Sequence, residues 1–276
     1  MNLYFTENMK LRKILYTIDI ALAAIYTGIA FSTRSPLQAS TAVAIIAVFL
    51  VVLSNTLLNR RDDSKVGRLL NVLYRECNPA LFIEDVNREI DLTAVNNEVR
   101  TLVLLHKANA LCYEGLFSDA HKIIDELNAS LKKESDRYLI LSNSINYRLI
   151  EENYEGLDED IEDLQNHIKQ SGKKAKKKTF LTNMGVMQKK LQLKISRGEK
   201  LNSSEVNTLW EITKLGGNNL NLETLRYYSS LFLLQEKDIK GAIEQLKKIA
   251  FNEENTVIEK RAKKLFTSLT TAKETE

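Results

Sequence analysis

The chain of 276 residues is poor in the residues that interrupt helices, with only two prolines and ten glycines. Leu, Lys and Glu, which favour helices, are abundant instead, together with Ile and Asn. Proline removes a helical hydrogen bond and glycine costs conformational entropy, so both residues interrupt helices. Their scarcity also leaves few of the turn residues that are typical of β-rich folds. The composition therefore predicts an all-α chain.

Cysteine is nearly absent as well. Cys77 and Cys112 are the only two, and neither stands in a paired-cysteine motif. The two cysteines therefore match no zinc-binding or redox motif. Two reduced, buried thiols in a reducing compartment are the simplest interpretation.

Sequence motifs that carry catalysis are also missing. His106, His121 and His167 are scattered and form no HExxH pattern, and there is no P-loop or glycine-rich dinucleotide turn. The net charge of +3 is too small to predict nucleic-acid binding. We therefore expect a binding protein rather than an enzyme, with no catalytic residue, metal or cofactor.

Two long apolar runs stand near the N-terminus, at about 14–33 and 37–58. About 20 apolar residues can cross the hydrocarbon core of a bilayer as a helix. Because only a short polar joint separates the runs, they predict a transmembrane helical hairpin over 14–58. Segment 59–276 is then a separate domain on the side where the chain began.

Basic residues flank this hairpin unequally. Only Arg34 lies in the joint, whereas both outer flanks are basic, so the positive-inside rule places residues 1–13 and 59–276 in the cytoplasm. A cleaved signal peptide followed by a lone anchor is the alternative interpretation of the two runs. The basic flanking residues are Lys10, Arg12, Lys13, Arg60, Arg61, Lys65 and Arg68.

Turn signals recur along the remaining chain at spacings of about 38 to 42 residues. They fall near Cys77, Gly115, Gly156, Gly198 and Lys237. One sharp turn per period is typical of stacked helical hairpins. The predicted helices are 64–76 with 80–90, 97–114 with 118–131, 136–153 with 158–170, 176–196 with 203–214, 222–235 with 239–250, and a terminal helix at 256–269.

Small and bulky residues recur at fixed positions of the second predicted hairpin and, in part, of the fifth: Leu104, Ala108, Leu111, Gly115, Phe117, Ala120 and Ile124, with Leu233, Ile239, Ala242, Leu246 and Ile249. This pattern resembles the tetratricopeptide repeat, in which small residues let two helices touch and bulky residues fill between them. The longer period is similar to the repeat domains of bacterial peptide-sensing regulators. The resemblance implies a TPR-like α-solenoid of about five helical hairpins, whose concave face binds a peptide or protein.

Asparagines on the predicted first helices are the candidate binding residues: Asn109, Asn143, Asn146 and Asn183. First helices line the concave face in tetratricopeptide arrays. An asparagine amide both donates and accepts hydrogen bonds, which suits an extended peptide backbone. The alternative is that these residues are solvent-exposed or cap the chain locally.

Charge is segregated between two neighbouring segments. Residues 151–163 are strongly acidic and suit a basic partner, while a lysine run just beyond suits anionic lipid or an acidic partner. The alternative is that the two solvated segments partly neutralise each other. The lysines of the run are Lys173, Lys174, Lys176, Lys177 and Lys178.

Together these features predict a membrane-anchored scaffold or adaptor that binds a protein partner at the cytoplasmic membrane face. One alternative is a peptide-sensing receptor that uses the concave face. Another is an accessory subunit of a membrane transporter or secretion complex, in which the hairpin and its one acidic residue, Asp19, contact an integral membrane protein.

Overall fold

The computed structural model describes residues 63–92, 97–130, 134–171, 176–250 and 255–274. Nearer the N-terminus it describes 13–18, 20–21, 24–25 and the single positions 52, 56 and 60, all of them helical. Every regular element in these ranges is an α-helix, which confirms the all-α prediction.

The predicted membrane spans are described only in part: 14–18, 20–21 and 24–25 of the first span, and positions 52 and 56 of the second. Asp19 lies outside the described residues. Within the ranges given above, no helix is both long and apolar enough to cross a bilayer.

The helices follow the predicted order and lie within a few residues of the predicted bounds. They are α1 (63–74), α2 (Pro79–Glu89), α3 (Asn97–Glu114), α4 (Phe117–Ala129), α5 (Glu134–Glu151), α6 (Leu157–Ser171), α7 (Lys176–Ser196), α8 (Ser203–Leu215), α9 (Asn219–Gln235), α10 (Ile239–Ala250) and α11 (Val257–Glu274).

The same type of helix end closes α3, α5, α7 and α9. Within two residues of the end of each helix, one residue has a positive φ: Gly115 (91°), Glu152 (68°), Gly198 (72°) and Lys237 (64°). The residue that follows it donates its N–H to the carbonyl five residues earlier, at 2.8 to 2.9 Å. This is the Schellman arrangement, which satisfies carbonyls at the helix end. It accounts for the turn signals near Gly115, Gly198 and Lys237. The expected turn residue Gly156 instead stands just before α6, also with a positive φ (64°).

Lys237 occupies a backbone conformation that favours glycine. Replacing it with glycine should raise the free energy of unfolding by up to about 1 kcal/mol, because the left-handed conformation strains any residue with a Cβ. Gly198→Ala is the matched control and should lower it by about 1 kcal/mol, since a Cβ there meets open space and only the conformation opposes it. Urea unfolding measures both values, and a loss of stability in Lys237→Gly would contradict the prediction.

Reciprocal hydrogen bonds between side chain and backbone cap the start of two helices. Asn202 accepts a hydrogen bond from the Glu205 N–H at 3.0 Å, and the Glu205 carboxylate accepts one from the Asn202 N–H at 2.9 Å. Thr256 and Glu259 form the same reciprocal pair before α11, and there both residues are buried. Such capping boxes fix where α8 and α11 begin.

The chain divides into two compact units. The first comprises Met1–Leu70 and Glu84–Arg100. Within it, Arg68 donates hydrogen bonds to the buried carboxylate of Asp85 at 3.0 Å and to Glu89 at 2.5 Å. Arg88 also pairs with Asp85, so this buried charge is neutralised from two sides.

The second unit comprises Asn71–Ile83 and Thr101–Glu276. Within it, successive helices pack on one another from α4 to α11, and α5, α7, α9 and α11 also pack on the next helix but one. One buried cluster shows the principle: a leucine and isoleucine stripe on α6 fills the space between α5 and α7. Its buried members are Ile145, Leu149, Leu157, Ile161, Leu164, Ile168, Val186 and Leu193.

Candidate functional site

Helices α3, α5, α7 and α9, here called the pocket helices, contact one another through buried hydrogen bonds. Tyr147 on α5 donates its hydroxyl to the Leu105 carbonyl on α3 at 3.2 Å. Tyr228 on α9 donates to the Leu149 carbonyl on α5 at 3.1 Å. Burial would make these hydroxyls costly without acceptors. The bonds therefore fix how the helices face each other.

Two further pairs join α9 to its neighbours. Gln188 on α7 donates its amide to Asn221 Oδ1 at 2.8 Å. Tyr113 Oη on α3 lies 3.0 Å from Thr224 Oγ1 on α9, although these residues are 111 positions apart in sequence. The pocket helices thus close on one another, and no broad groove remains between Tyr113 and Thr224.

A pocket remains where these helices meet, with about 250 Å³ of empty space that includes its open mouth. None of its lining residues carries a charge. Four carboxamides and three hydroxyls form most of the wall, and two aliphatic side chains complete it. The residues are Asn146, Gln188, Gln192, Asn221, Tyr113, Thr224, Tyr228, Leu149 and Ile150.

Two of the pocket amides make no side-chain hydrogen bond to any described residue. The Gln192 side chain is only 3% exposed, and its Nε2 has no hydrogen-bond partner within the described part of the chain. Asn146 is half-buried, and its amide likewise makes no hydrogen bond to any described residue. A buried unpaired N–H costs about 1–3 kcal/mol relative to a paired one. The buried Nε2 of Gln192 is therefore the pocket atom that would gain most from a hydrogen-bond acceptor.

Of the four predicted asparagines, only Asn146 lines the pocket. Asn109 is buried and donates to the Tyr74 hydroxyl at 3.1 Å. Asn143 donates to a carbonyl of its own helix, four residues earlier, at 2.8 Å. Asn183 is exposed on α7. The structure therefore does not bring the four amides together at one surface.

The predicted lysine run lies largely outside the described residues. Lys173 and Lys174 fall in the gap before α7. Lys176, Lys177 and Lys178 are in α7, but their side chains are outside the described part.

The C-terminal part of the acidic segment, from Asp158 onward, lies on the solvent side of α6. Asp160 pairs with Arg148 at 2.5 Å and Asp158 with Arg197 at 2.7 Å. These carboxylates lie in the first turn of α6, where they also favour the helix dipole. The other acids of α6 are exposed and have no ion-pair partner among the described residues: Glu159, Glu162 and Asp163.

A basic surface on α10 and α11 was not predicted from the sequence. Its lysines are spaced along the solvent sides of two helices that pack together, so their proximity depends on the hairpin and not on a run in the sequence. Four are exposed and without an ion pair in the described ranges: Lys240, Lys247, Lys260 and Lys264.

Burial changes the acidity of several groups in the second unit. It lowers the pKa of His106 to about 4 and that of Lys189 on α7 to about 8. Burial raises the pKa of the Cys77 and Cys112 thiols well above the ordinary range. Both thiols are therefore protonated and weakly nucleophilic near neutral pH.

Most pocket residues were missed by sequence reasoning. Gln188 and Gln192 stand in the lysine-rich stretch of α7, which in a sequence is typical of a solvent-facing helix. Asn221 follows two glycines and resembles part of a loop. One signal was available: Gln188, Gln192 and Asn221 stand on first helices, as Asn146 does.

No protein-family model matches the chain, and no curated protein or solved structure is significantly similar to it.

Proposed function

We propose that the chain is a membrane-anchored helical-repeat scaffold that holds a protein partner at the cytoplasmic membrane face. The observation that carries this proposal is the closure of the pocket helices, as in the Tyr113–Thr224 contact. Recognition of a protein would then fall to the charged outer surfaces of α6, α10 and α11. The proposal has three parts: an anchor, a repeat array and a binding surface.

The N-terminal residues support the anchor. Large apolar side chains on helical residues within the proposed spans are exposed: Ile14 by 55%, Ile25 by 59% and Val52 by 57%. Lipid is the solvent that favours such exposure. Thr17 and Thr56 each donate their hydroxyl to a carbonyl four residues earlier, at 2.8 and 2.7 Å. A bilayer requires this internal satisfaction of polar groups.

The packing of the second unit supports a tetratricopeptide-like array. Helices contact their neighbours in sequence and the next helix but one, as expected of stacked hairpins. The small residues Ala108, Ala120 and Ala242 of the repeat-like pattern are fully buried. Ile239, in contrast, is half exposed, which weakens the likeness of the last hairpin.

Unpaired surface charges support binding of a charged partner. Glu159 and Asp163 are four residues apart on α6, and like charges at this spacing oppose each other within a helix. A partner of opposite charge would relieve this repulsion. Membrane tethering strengthens such a contact, because it raises the local concentration of the two proteins.

A crosslinking experiment on the full chain tests the proposal. A photo-crosslinking amino acid is placed at Glu162 on α6, at Lys264 on α11 and, as control, at exposed Asn128 on α4, in the cell that makes the protein. We expect the chain to resist carbonate extraction from membranes. We also expect one discrete protein adduct at Glu162 or Lys264 and none at Asn128.

The anchor and the binding surface can fail separately in this experiment. Release of the chain by carbonate would exclude the membrane anchor. If the crosslinker is incorporated and neither charged position gives a discrete adduct, the scaffold function is excluded.

A peptide-sensing receptor is the second candidate function. One observation favours it: Asn146, which the repeat resemblance places on a ligand-facing helix, lines the polar pocket with Gln192. Replacing Asn146 with alanine should then abolish the thermal stabilisation that a peptide ligand gives the full chain. Equal stabilisation of both proteins would exclude this site.

A further inference from the structure

We propose that the pocket between the pocket helices binds an uncharged carboxamide, the terminal group of an asparagine or glutamine side chain, through Gln192 and Asn146. The inference names the chemical group that the peptide-sensing receptor, the second candidate function, would recognise. It rests on that function because a segment of the bound partner would carry the carboxamide. Its evidence is the chemistry of the pocket wall.

Charge excludes most other ligands. None of the lining residues is ionised, so a carboxylate, phosphate or ammonium group would lose its hydration without meeting a counter-charge. Burying an unpaired charge costs far more than burying a neutral polar group. The ligand group is therefore neutral.

Hydrogen bonding then selects among neutral groups. The tyrosine and threonine hydroxyls of the wall already have acceptors, and Gln188 is bonded to Asn221. The unused donor that is fully buried is Gln192 Nε2, and the half-buried Asn146 amide beside it both donates and accepts. Gln188 Oε1 also lacks a partner among the described residues and adds a second acceptor. A carboxamide matches this set, because its oxygen accepts from Gln192 and its NH₂ group donates to Asn146. A ketone or ester accepts but cannot donate.

The size of the pocket limits what enters it. About 250 Å³ of empty space, part of it in the open mouth, holds the end of one side chain and not a folded segment. The mouth leaves the rest of the ligand outside the pocket. A carboxamide on a flexible stem fits these dimensions.

Ligand-observed ¹⁹F NMR on the purified full chain in detergent provides the test. Trifluoroacetamide is the probe, and trifluoroacetate is its charged counterpart of nearly the same shape. We expect the amide, and not the anion, to bind and to be displaced by acetamide. Gln192→Met removes the donor and keeps the side-chain length, so it should weaken probe binding about five- to tenfold. Gln245→Met on α10 is the matched control and should bind as the wild type does.

Short peptides distinguish the sources of the carboxamide. Displacement of the probe by Gly-Gln-Gly but not by Gly-Glu-Gly assigns the pocket to a side chain of a partner segment. Displacement by acetamide alone assigns it to a free amide and contradicts the side-chain source.

Three outcomes would overturn the carboxamide site itself: no probe binding, as expected if the pocket holds only ordered water; equal binding of the anion; or unchanged binding in Gln192→Met. Any of these outcomes, together with intact peptide-induced stabilisation, would leave the receptor function standing without this assignment.

Discussion

Replacing Leu164 with alanine is expected to lower the free energy of unfolding by about 2–5 kcal/mol. Leu164 is 1% exposed and lies at the centre of the cluster that joins α6 to α5 and α7. Alanine would leave a cavity there, and the surrounding side chains are held by two other helices and can close it only in part. The loss therefore includes both the transfer energy of the leucine and the cavity term.

Leu139→Ala on α5 is the matched control, because Leu139 is 42% exposed and buries little surface. Its effect should stay within about 0.5 kcal/mol. Urea unfolding of the full chain measures both variants. Trp210 is the only tryptophan and packs against Phe232 with ring centroids 6.4 Å apart, so its fluorescence reports α8 and α9. Equal losses in the two leucine variants would contradict the assignment of the core.

Leu164→Ala also tests whether the helical hairpins of the second unit unfold together. Because α6 packs on α7, and α7 packs on both α8 and α9, we expect the Trp210 signal to shift with the circular dichroism signal. A shift in circular dichroism alone would mean that the hairpins unfold separately, as is possible in repeat arrays.

The helices could be predicted because their signals are local. Asn97–Glu114, Lys176–Ser196 and Ile239–Ala250 begin and end where the apolar periodicity and the turn residues indicate. The start of α9 was predicted three residues late, at Leu222. Asn218 was overlooked as its cap: the Asn218 side chain accepts from the Asn221 N–H at 2.8 Å and begins the helix almost directly after the two glycines.

The pocket could be predicted only in part, because it depends on the rotation between successive hairpins. Asn146 was identified from its place on a first helix, and that reasoning needs no tertiary structure. The Tyr113–Thr224 contact spans 111 positions and follows from the accumulated rotation of several hairpins. A period in the sequence gives the number of hairpins and not this angle. Gln192 on α7 is buried because α9 packs on α7, and this contact between hairpins also depends on the angle that the period does not give.

Acidification is expected to destabilise the second unit through His106. The His106 Nδ1 atom lies 2.8 Å from the Tyr74 hydroxyl, which itself accepts a hydrogen bond from Asn109. The tyrosine hydroxyl can therefore donate to Nδ1, which accepts a hydrogen bond in the neutral imidazole. Burial lowers the pKa of His106 to about 4, against 6.5 for an unperturbed histidine.

The sign of the effect follows from proton uptake. Between about pH 6.5 and pH 4, the unfolded chain binds a proton at this histidine and the folded chain does not. Stability is therefore fully present above this window and falls as the pH falls through it. From about pH 7.5 to pH 5, the expected loss is about 2 kcal/mol, since one pKa unit corresponds to 1.36 kcal/mol.

His106→Gln tests this expectation, because it keeps an acceptor for the Tyr74 hydroxyl and removes the titrating group. Its urea-unfolding free energy should fall by about 2 kcal/mol less than that of the wild type over the same pH range. Tyr74→Phe is the second variant. Burial, rather than the hydroxyl, lowers the pKa, so this variant should keep most of the wild-type pH dependence. Parallel curves for wild type and His106→Gln would show that His106 titrates alike in the folded and unfolded chains, and would place the acid sensitivity elsewhere.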